Sequence, residues 1–170
     1  MSDDKKYWIG FNLVKGIGSV RFNQILSYFN DLSIAWDAPP EAFQQVGLPE
    51  RVLRNFYKIR QEVDLDQMYA SILDQNVSVL TLQDETYPRL LREIDQSPPV
   101  IYIKGTLEPA DEFAVALVGT RRLTAYGRQV TRDTSIFLAG HGITIVSGLA
   151  RGVDGLAHRH ALEAGGRTIA

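Results

Sequence analysis

The sequence predicts an α/β chain in which a small all-helical domain of the helix-hairpin-helix or SAM-like kind, residues 1–65, precedes the first part of a Rossmann-like parallel sheet, residues 66–170. Three observations predict it. Apolar residues recur at helical spacing through the first third of the chain, broken by Gly16-Ile17-Gly18. After residue 76 the apolar period shortens to that of a strand. From Phe113 onward, apolar runs and amphipathic stretches alternate in a β-α-β-α-β series.

The apolar-rich segments 7–14 and 19–29 flank Lys15-Gly16-Ile17-Gly18-Ser19, and Val20, Ile25, Leu26 and Phe29 share a face of the second, with Ser19 placed to cap it. Two helices joined by a Gly-Ile-Gly turn form a helix-hairpin-helix pattern. Gly16 and Gly18 permit a tight turn, and the same turn brings backbone N–H groups near a phosphate, so a secondary DNA contact stands beside a purely structural or partner-docking hairpin. Beyond the linker-like Asp37-Ala38-Pro39-Pro40, helices are expected over 41–46 and 50–75. Val77-Ser78-Val79-Leu80-Thr81 and Pro99-Val100-Ile101-Tyr102-Ile103 read as strands, with a Pro88-started helical turn between them.

The third section predicts a strand over 113–118, a helix over 127–139 with Val130, Thr134 and Phe137 on one face, and a strand over 143–146. A further helix over 154–163 offers Ala157, Ala161 and Ala164 for close packing, and a last strand begins at Arg167. Alternation of this kind makes a parallel sheet with ligands at the carboxyl ends of its strands.

Composition excludes several classes. With no Cys there is no disulfide framework, zinc knuckle or thiol nucleophile, and His141, His158 and His160 are a poor metal set. The first residues lack a basic stretch followed by an apolar one, and no run approaches the ~18 apolar residues of a membrane span. The expectation is a soluble cytoplasmic protein without membrane contact. Net charge is −2, yet the charge is segregated: residues 1–112 hold 11 basic and 17 acidic side chains, whereas 113–170 hold 7 basic and 3 acidic. All seven are Arg, whose planar fork suits phosphate oxygens. A local anion-binding surface would leave that asymmetry, as would a solvated Arg-rich face.

The two loops after the first two parallel strands carry the chemistry. One is Gly119-Thr120-Arg121-Arg122; the other is Ser147-Gly148-Leu149-Ala150-Arg151-Gly152-Val153-Asp154. Glycines let backbone amides approach an anion, Thr120 and Ser147 add hydroxyls, Arg121, Arg122 and Arg151 add charge, and helix N-termini add a favourable dipole. Neither loop is a G-x-G-x-x-G fingerprint, and no Walker A sequence occurs, so NAD and ATP are not expected and no cofactor is implied. Asp154 is placed to cap the following helix, with His158 one turn further on the same face.

Taken together, YPRLLREIDQSPPVIYIKG, GTRRLTAYG, SGLARGVDGLAH and ALEAGGRTIA resemble the DprA/Smf family over about residues 80–170. That family carries a strand-G-[ST]-R loop, an S-G-x-A-x-G-[IV]-D segment and a Y-P-x-x-L lead-in. The resemblance implies sequence-independent binding of single-stranded DNA, protection of incoming strands during natural transformation or repair, and loading of a RecA-type recombinase, with no reaction catalysed. Its loop arginine falls on Arg121, with Gly119, Thr120, Ser147, Gly148 and Gly152 forming the pocket, and an aromatic such as Tyr126 is available to stack a base. Family members continue past this point, so the resemblance also implies the front part of a longer protein, with homodimer and recombinase surfaces largely beyond it.

Two other function classes remain open from the residues. Related Rossmann-like folds hydrolyse nucleoside monophosphates, although such an enzyme needs a carboxylate pair and Asp154 is the one acid in either loop. Residues 1–65, with 8 acidic and 8 basic side chains, could instead serve as a protein-docking module.

Overall fold

A computed structural model describes residues 4–170, which form two compact units, one running to Thr106 and one from Leu107 to Ala170. The first holds seven helices and a strand pair: α1 Lys5–Leu13, α2 Ser19–Phe29, α3 Leu32–Asp37, α4 Pro40–Val46, α5 Glu50–Glu62 and α6 Leu65–Asp74, then β1 Val77–Thr81, the short α7 Arg89–Arg92 and β2 Val100–Lys104. Its core is aromatic. Phe11 and Phe56 stack with centroids 5.1 Å apart, Trp36 meets both edge-on at 5.3 Å, and Phe22 and Phe43 are fully buried beside them. Such pairs add to the stabilisation that burial itself supplies.

The helix expected over 50–75 is two helices, because Asp64 breaks it and caps α6 by accepting a hydrogen bond from the Gln67 N–H at 3.0 Å. Likewise, Asp31 starts the unforeseen α3 by accepting from the Ser33 N–H at 2.7 Å. Ser19 is not the cap of α2: Gly18 holds that position and the Ser19 hydroxyl donates to the Gln96 carbonyl at 3.2 Å.

The compact units divide after Thr106 rather than after residue 65. The antiparallel β1–β2 pair, registered Val77 to Lys104, points Val79 and Val100 into the helical core. Lys5 fastens it from α1, donating to the Val79 carbonyl at 2.8 Å and pairing with Asp84 at 2.8 Å.

The second unit contains a 3₁₀ turn Pro109–Glu112, β3 Ala114–Ala116, α8 Ala125–Gly140, β4 Thr144–Val146, α9 Val153–Glu163 and β5 Thr168–Ile169. The three strands are parallel in the order β3-β4-β5, with Ala114 opposite Thr144 and Ile145 opposite Thr168. The β-α-β-α-β alternation is thus the Rossmann-like arrangement. Among the described residues no helix is long and apolar enough to cross a membrane.

Helix α8 does not bury the face read from its apolar residues. Thr131, Ser135 and Ala139 are inward, while Val130 and Phe137 are exposed. Small inward side chains let the helix lie close, and their hydroxyls donate to the carbonyls four residues earlier, at 2.7 Å each, so burial leaves them satisfied. From α9, Ala157 and Ala161 are fully buried, but Ala164 is exposed.

At the amino ends of the strands, Arg167 grips Asp111 with two donors, at 2.5 and 2.8 Å, and reaches Glu108 at 3.1 Å. Asp111 also accepts from the Thr144 hydroxyl and the Glu108 N–H, at 3.1 and 2.8 Å. Arg167 therefore belongs to a structural clasp, apart from the other six arginines of its section. The Arg167 hydrogen bonds hold the Asp111 carboxyl down at about 2. A depressed carboxyl stabilises the fold fully above its unfolded pKa near 4 and loses that contribution as pH falls through the folded value. The chain's melting temperature should accordingly drop between about pH 4 and 2, whereas Asp111→Asn should melt lower at neutral pH and lose less across that window. Parallel curves for the two proteins would remove the clasp from the account.

Candidate functional site

The carboxyl ends of β3 and β4 lead into the two glycine-bearing loops, which are locked to each other by backbone. The Val153 N–H at the start of α9 donates to the Thr120 carbonyl at 3.2 Å. Gly152 has φ +98°, and a Cβ there would press on the Thr120 carbonyl and come within 2.6 Å of the Arg121 Cα. Only glycine combines that backbone angle with that approach. Gly119 meets the other side of the contact, since a Cβ on it would lie 2.6 Å from a Val153 methyl.

The hydroxyls in these loops are committed to the fold. Ser147 is buried, donating to the Leu117 carbonyl at 2.6 Å while its N–H reaches the Ile169 carbonyl at 3.0 Å, so it ties together the ends of all three strands. Thr120 Oγ1 accepts from the Arg122 N–H at 3.1 Å, which shapes the turn holding the two arginines. Gly148 leaves room for the buried Asp154 carboxylate, whose Oδ2 lies 3.2 Å from where a Cβ would be. Asp154 does not cap α9, because Gly152 occupies the cap position. Nor does it couple to His158. The His158 Nδ1 is hydrogen-bonded to the Thr168 hydroxyl, which itself donates at 3.0 Å to the Ile145 carbonyl, so the histidine links α9 to β5.

Above this frame lies a cleft of about 430 Å³ lined by Arg121, Arg128, Arg151 and Arg159, with Leu123 and Leu156 as its apolar wall and Gly152 and Gly155 at its base. A neighbouring recess of about 490 Å³ is lined by Arg121, Arg122, Ala150 and Arg151. Arg121 and Arg151 thus serve both, while Arg122 faces the second alone. All five arginines are exposed, and none of their guanidinium groups has a hydrogen-bond or ion-pair partner among the described residues.

Among the described residues no acid lines either hollow. Of the three acids in 113–170, Asp133 accepts from Gln129 at 2.8 Å, Glu163 pairs with His160 at 2.8 Å, and Asp154 is beneath the loop. Unpaired guanidinium groups with planar donor forks, gathered at the carboxyl edge of a parallel sheet, can hold phosphate oxygens. Among the described residues no group of three His, Asp or Glu is placed to hold a metal ion.

Arg128 and Arg159 complete the cleft and were not singled out from the sequence. A signal existed for Arg159: Gly155, Leu156 and Arg159 fall on one helical face, a turn beyond Gly152. Tyr126 is four-fifths exposed but does not line the cleft. Gly16 and Gly18 lie in the helical unit. Gly16 needs its φ of +103° beside Val52, and its carbonyl accepts from Arg21 at 2.6 Å, turning the hairpin's own cation back on the turn. Gly18 borders a separate recess with Ser19, Arg21 and Gln24.

A family model described as DNA recombination-mediator protein A matches residues 78–170. Protein Smf of Synechocystis is 37% identical over 99% of this chain and 44% of its own length, and DNA processing protein DprA of Bacillus subtilis is 32% identical over 88% of this chain and 53% of its own. The X-ray structure of DNA processing protein A from Streptococcus pneumoniae superposes with a TM-score of 0.73 at 26% identity, covering 97% of this chain and 56% of that one. The chain spans about half the length of these relatives.

Gly152→Ala tests the frame on which the cleft rests. The strained angle and the clash with Thr120 and Arg121 should cost on the order of 1–3 kcal/mol, read as a lowered unfolding midpoint in urea. An unchanged midpoint would mean that the two loops are not held by this approach.

Proposed function

The chain belongs to the DNA recombination-mediator protein A family, also called DprA/Smf, and we propose that its arginine cleft binds single-stranded DNA through phosphate, without preference for base. The observation that carries this reading is the gathering of Arg121, Arg128, Arg151 and Arg159 around one cleft with no acidic partner. Arginine forks read the sugar-phosphate backbone, which is the same at every base. A single strand exposes successive phosphates along a flexible path, so it can bend into a concave cleft where a stiff duplex cannot follow.

In this reading the cleft holds an incoming strand in the cytoplasm, shields it, and presents it to a RecA-type recombinase, with the longer family protein acting as a homodimer. The function is one of binding, not of turnover. Supporting that choice, hydrolysis of a nucleoside monophosphate needs an acid–base carboxylate against the ligand, and neither hollow is lined by one. Gly16 and Gly18 serve the hairpin turn in this account, and a second strand contact there is the weaker proposal, since the turn's carbonyl is already occupied by Arg21.

Affinity for an oligothymidylate should fall with salt, with a log–log slope of about −2 to −3 if three or four phosphates are neutralised on a single strand. Fluorescence anisotropy across a salt series measures it, and a flat response would sink the phosphate model. Within the site, Arg121 serves both hollows and Arg122 one. Arg121→Ala should therefore lose about 1.5–3 kcal/mol, or one to two decades in Kd, and Arg122→Ala less, with both variants melting like the parent. Equal losses would indicate a diffuse basic surface in place of a cleft.

A further inference from the structure

We infer that the cleft lined by Arg121, Arg128, Arg151 and Arg159 is built for a terminal phosphomonoester, so that a strand is held there by a phosphorylated end. This rests on the strand-binding reading and goes beyond it. Four arginines line about 430 Å³, near the small end of ligand clefts, which run roughly 300–1,000 Å³. A stretch of strand interior that fits such a space brings one negative charge per phosphodiester. A monoester brings about −1.5 to −2 with three acceptor oxygens, which matches several planar forks at once.

The charge inside the cleft is uncompensated. None of the four guanidinium groups has a partner among the described residues, and among those residues no acid lines the space. Four like charges around one hollow repel one another, and the ligand of highest negative charge relieves that repulsion most. Leu123 and Leu156 supply an apolar wall against which the sugar or base of one terminal nucleotide can rest. The adjoining recess has no such wall: its lining is Ala150 and three arginines, two of them shared with the cleft. That division suits an end nucleotide in the first hollow and the continuing backbone in the second.

A phosphomonoester occurs on a strand end or on a free nucleoside monophosphate, and a competition experiment separates them. Hexathymidylates bearing a 5′-phosphate, a 3′-phosphate or only hydroxyl ends, and free thymidine 5′-monophosphate, would each displace a labelled oligothymidylate from the chain. One phosphorylated hexamer should compete about tenfold or more better than the hydroxyl-ended one. That advantage should grow between about pH 5.5 and 7.5, as the monoester loses its second proton near pH 6. Arg128→Gln and Arg159→Gln should erase the advantage, while Arg122→Gln weakens all three hexamers alike. Melting curves establish that the variants are folded, and Arg159→Lys, which keeps charge but not the fork, should retain only part of the preference. Equal competition by the three hexamers overturns the inference and leaves strand binding standing. Absence of competition by any hexamer overturns both. Free thymidine monophosphate competing as well as the phosphorylated hexamer would assign the cleft to a free nucleotide and overturn the strand-end assignment.

Discussion

The backbone of Thr120 and Arg121 lies directly against Gly152, and the rest of the site depends on that approach. It joins the loop after β3 to the loop after β4 with no side chain between them, and the Val153 N–H bond to Thr120 fixes their spacing. Because the contact is backbone on backbone, it sets where the loops are without using any arginine. The arginine side chains that line the cleft take no part in that frame. Glycine at 119 and 152 is therefore chiefly steric in its effect, and Ser147 and Thr120 act through hydrogen bonds inside the frame.

Charge in the second unit is divided between the two ends of the sheet. Arg167 is neutralised by Asp111 and Glu108 at the amino ends of the strands, where it fastens the 3₁₀ turn to β5. At the opposite, carboxyl ends, Arg121, Arg122, Arg128, Arg151 and Arg159 have no acidic partner among the described residues. A partly buried, bidentate pair contributes to stability, whereas unpaired surface cations cost little in water and remain available to a ligand. One residue type thus serves the fold at one end of the sheet and ligand capture at the other.

In the helical unit the organising contact is different. Lys5 bonds the Val79 carbonyl and Asp84, and Val79 and Val100 enter an aromatic core centred on Phe11, Trp36 and Phe56. An isolated two-stranded hairpin is marginal in water, so it needs such a surface to rest on.

What the sequence determined by itself was set by local rules. The β-α-β-α-β alternation, the two glycine loops and the segregation of arginine to 113–170 are properties of neighbouring residues, and periodicity and composition display them directly. The family resemblance rested on the same linear motifs. Choices between distant residues were decided only by tertiary structure. The hairpin's allegiance to the helices depends on Lys5 meeting Val79 across 74 positions. The burial of Thr131 and Ser135 in preference to Val130 and Phe137 depends on how closely α8 packs against α9 and β4, and Arg167 was withdrawn from the basic set by Asp111, 56 residues earlier. Arg128 and Arg159 entered the cleft because α8 and α9 bring them to the same hollow. Spacing along the chain carries information about one helix face or one turn, but which faces meet is fixed by packing, and packing chose the members of this site.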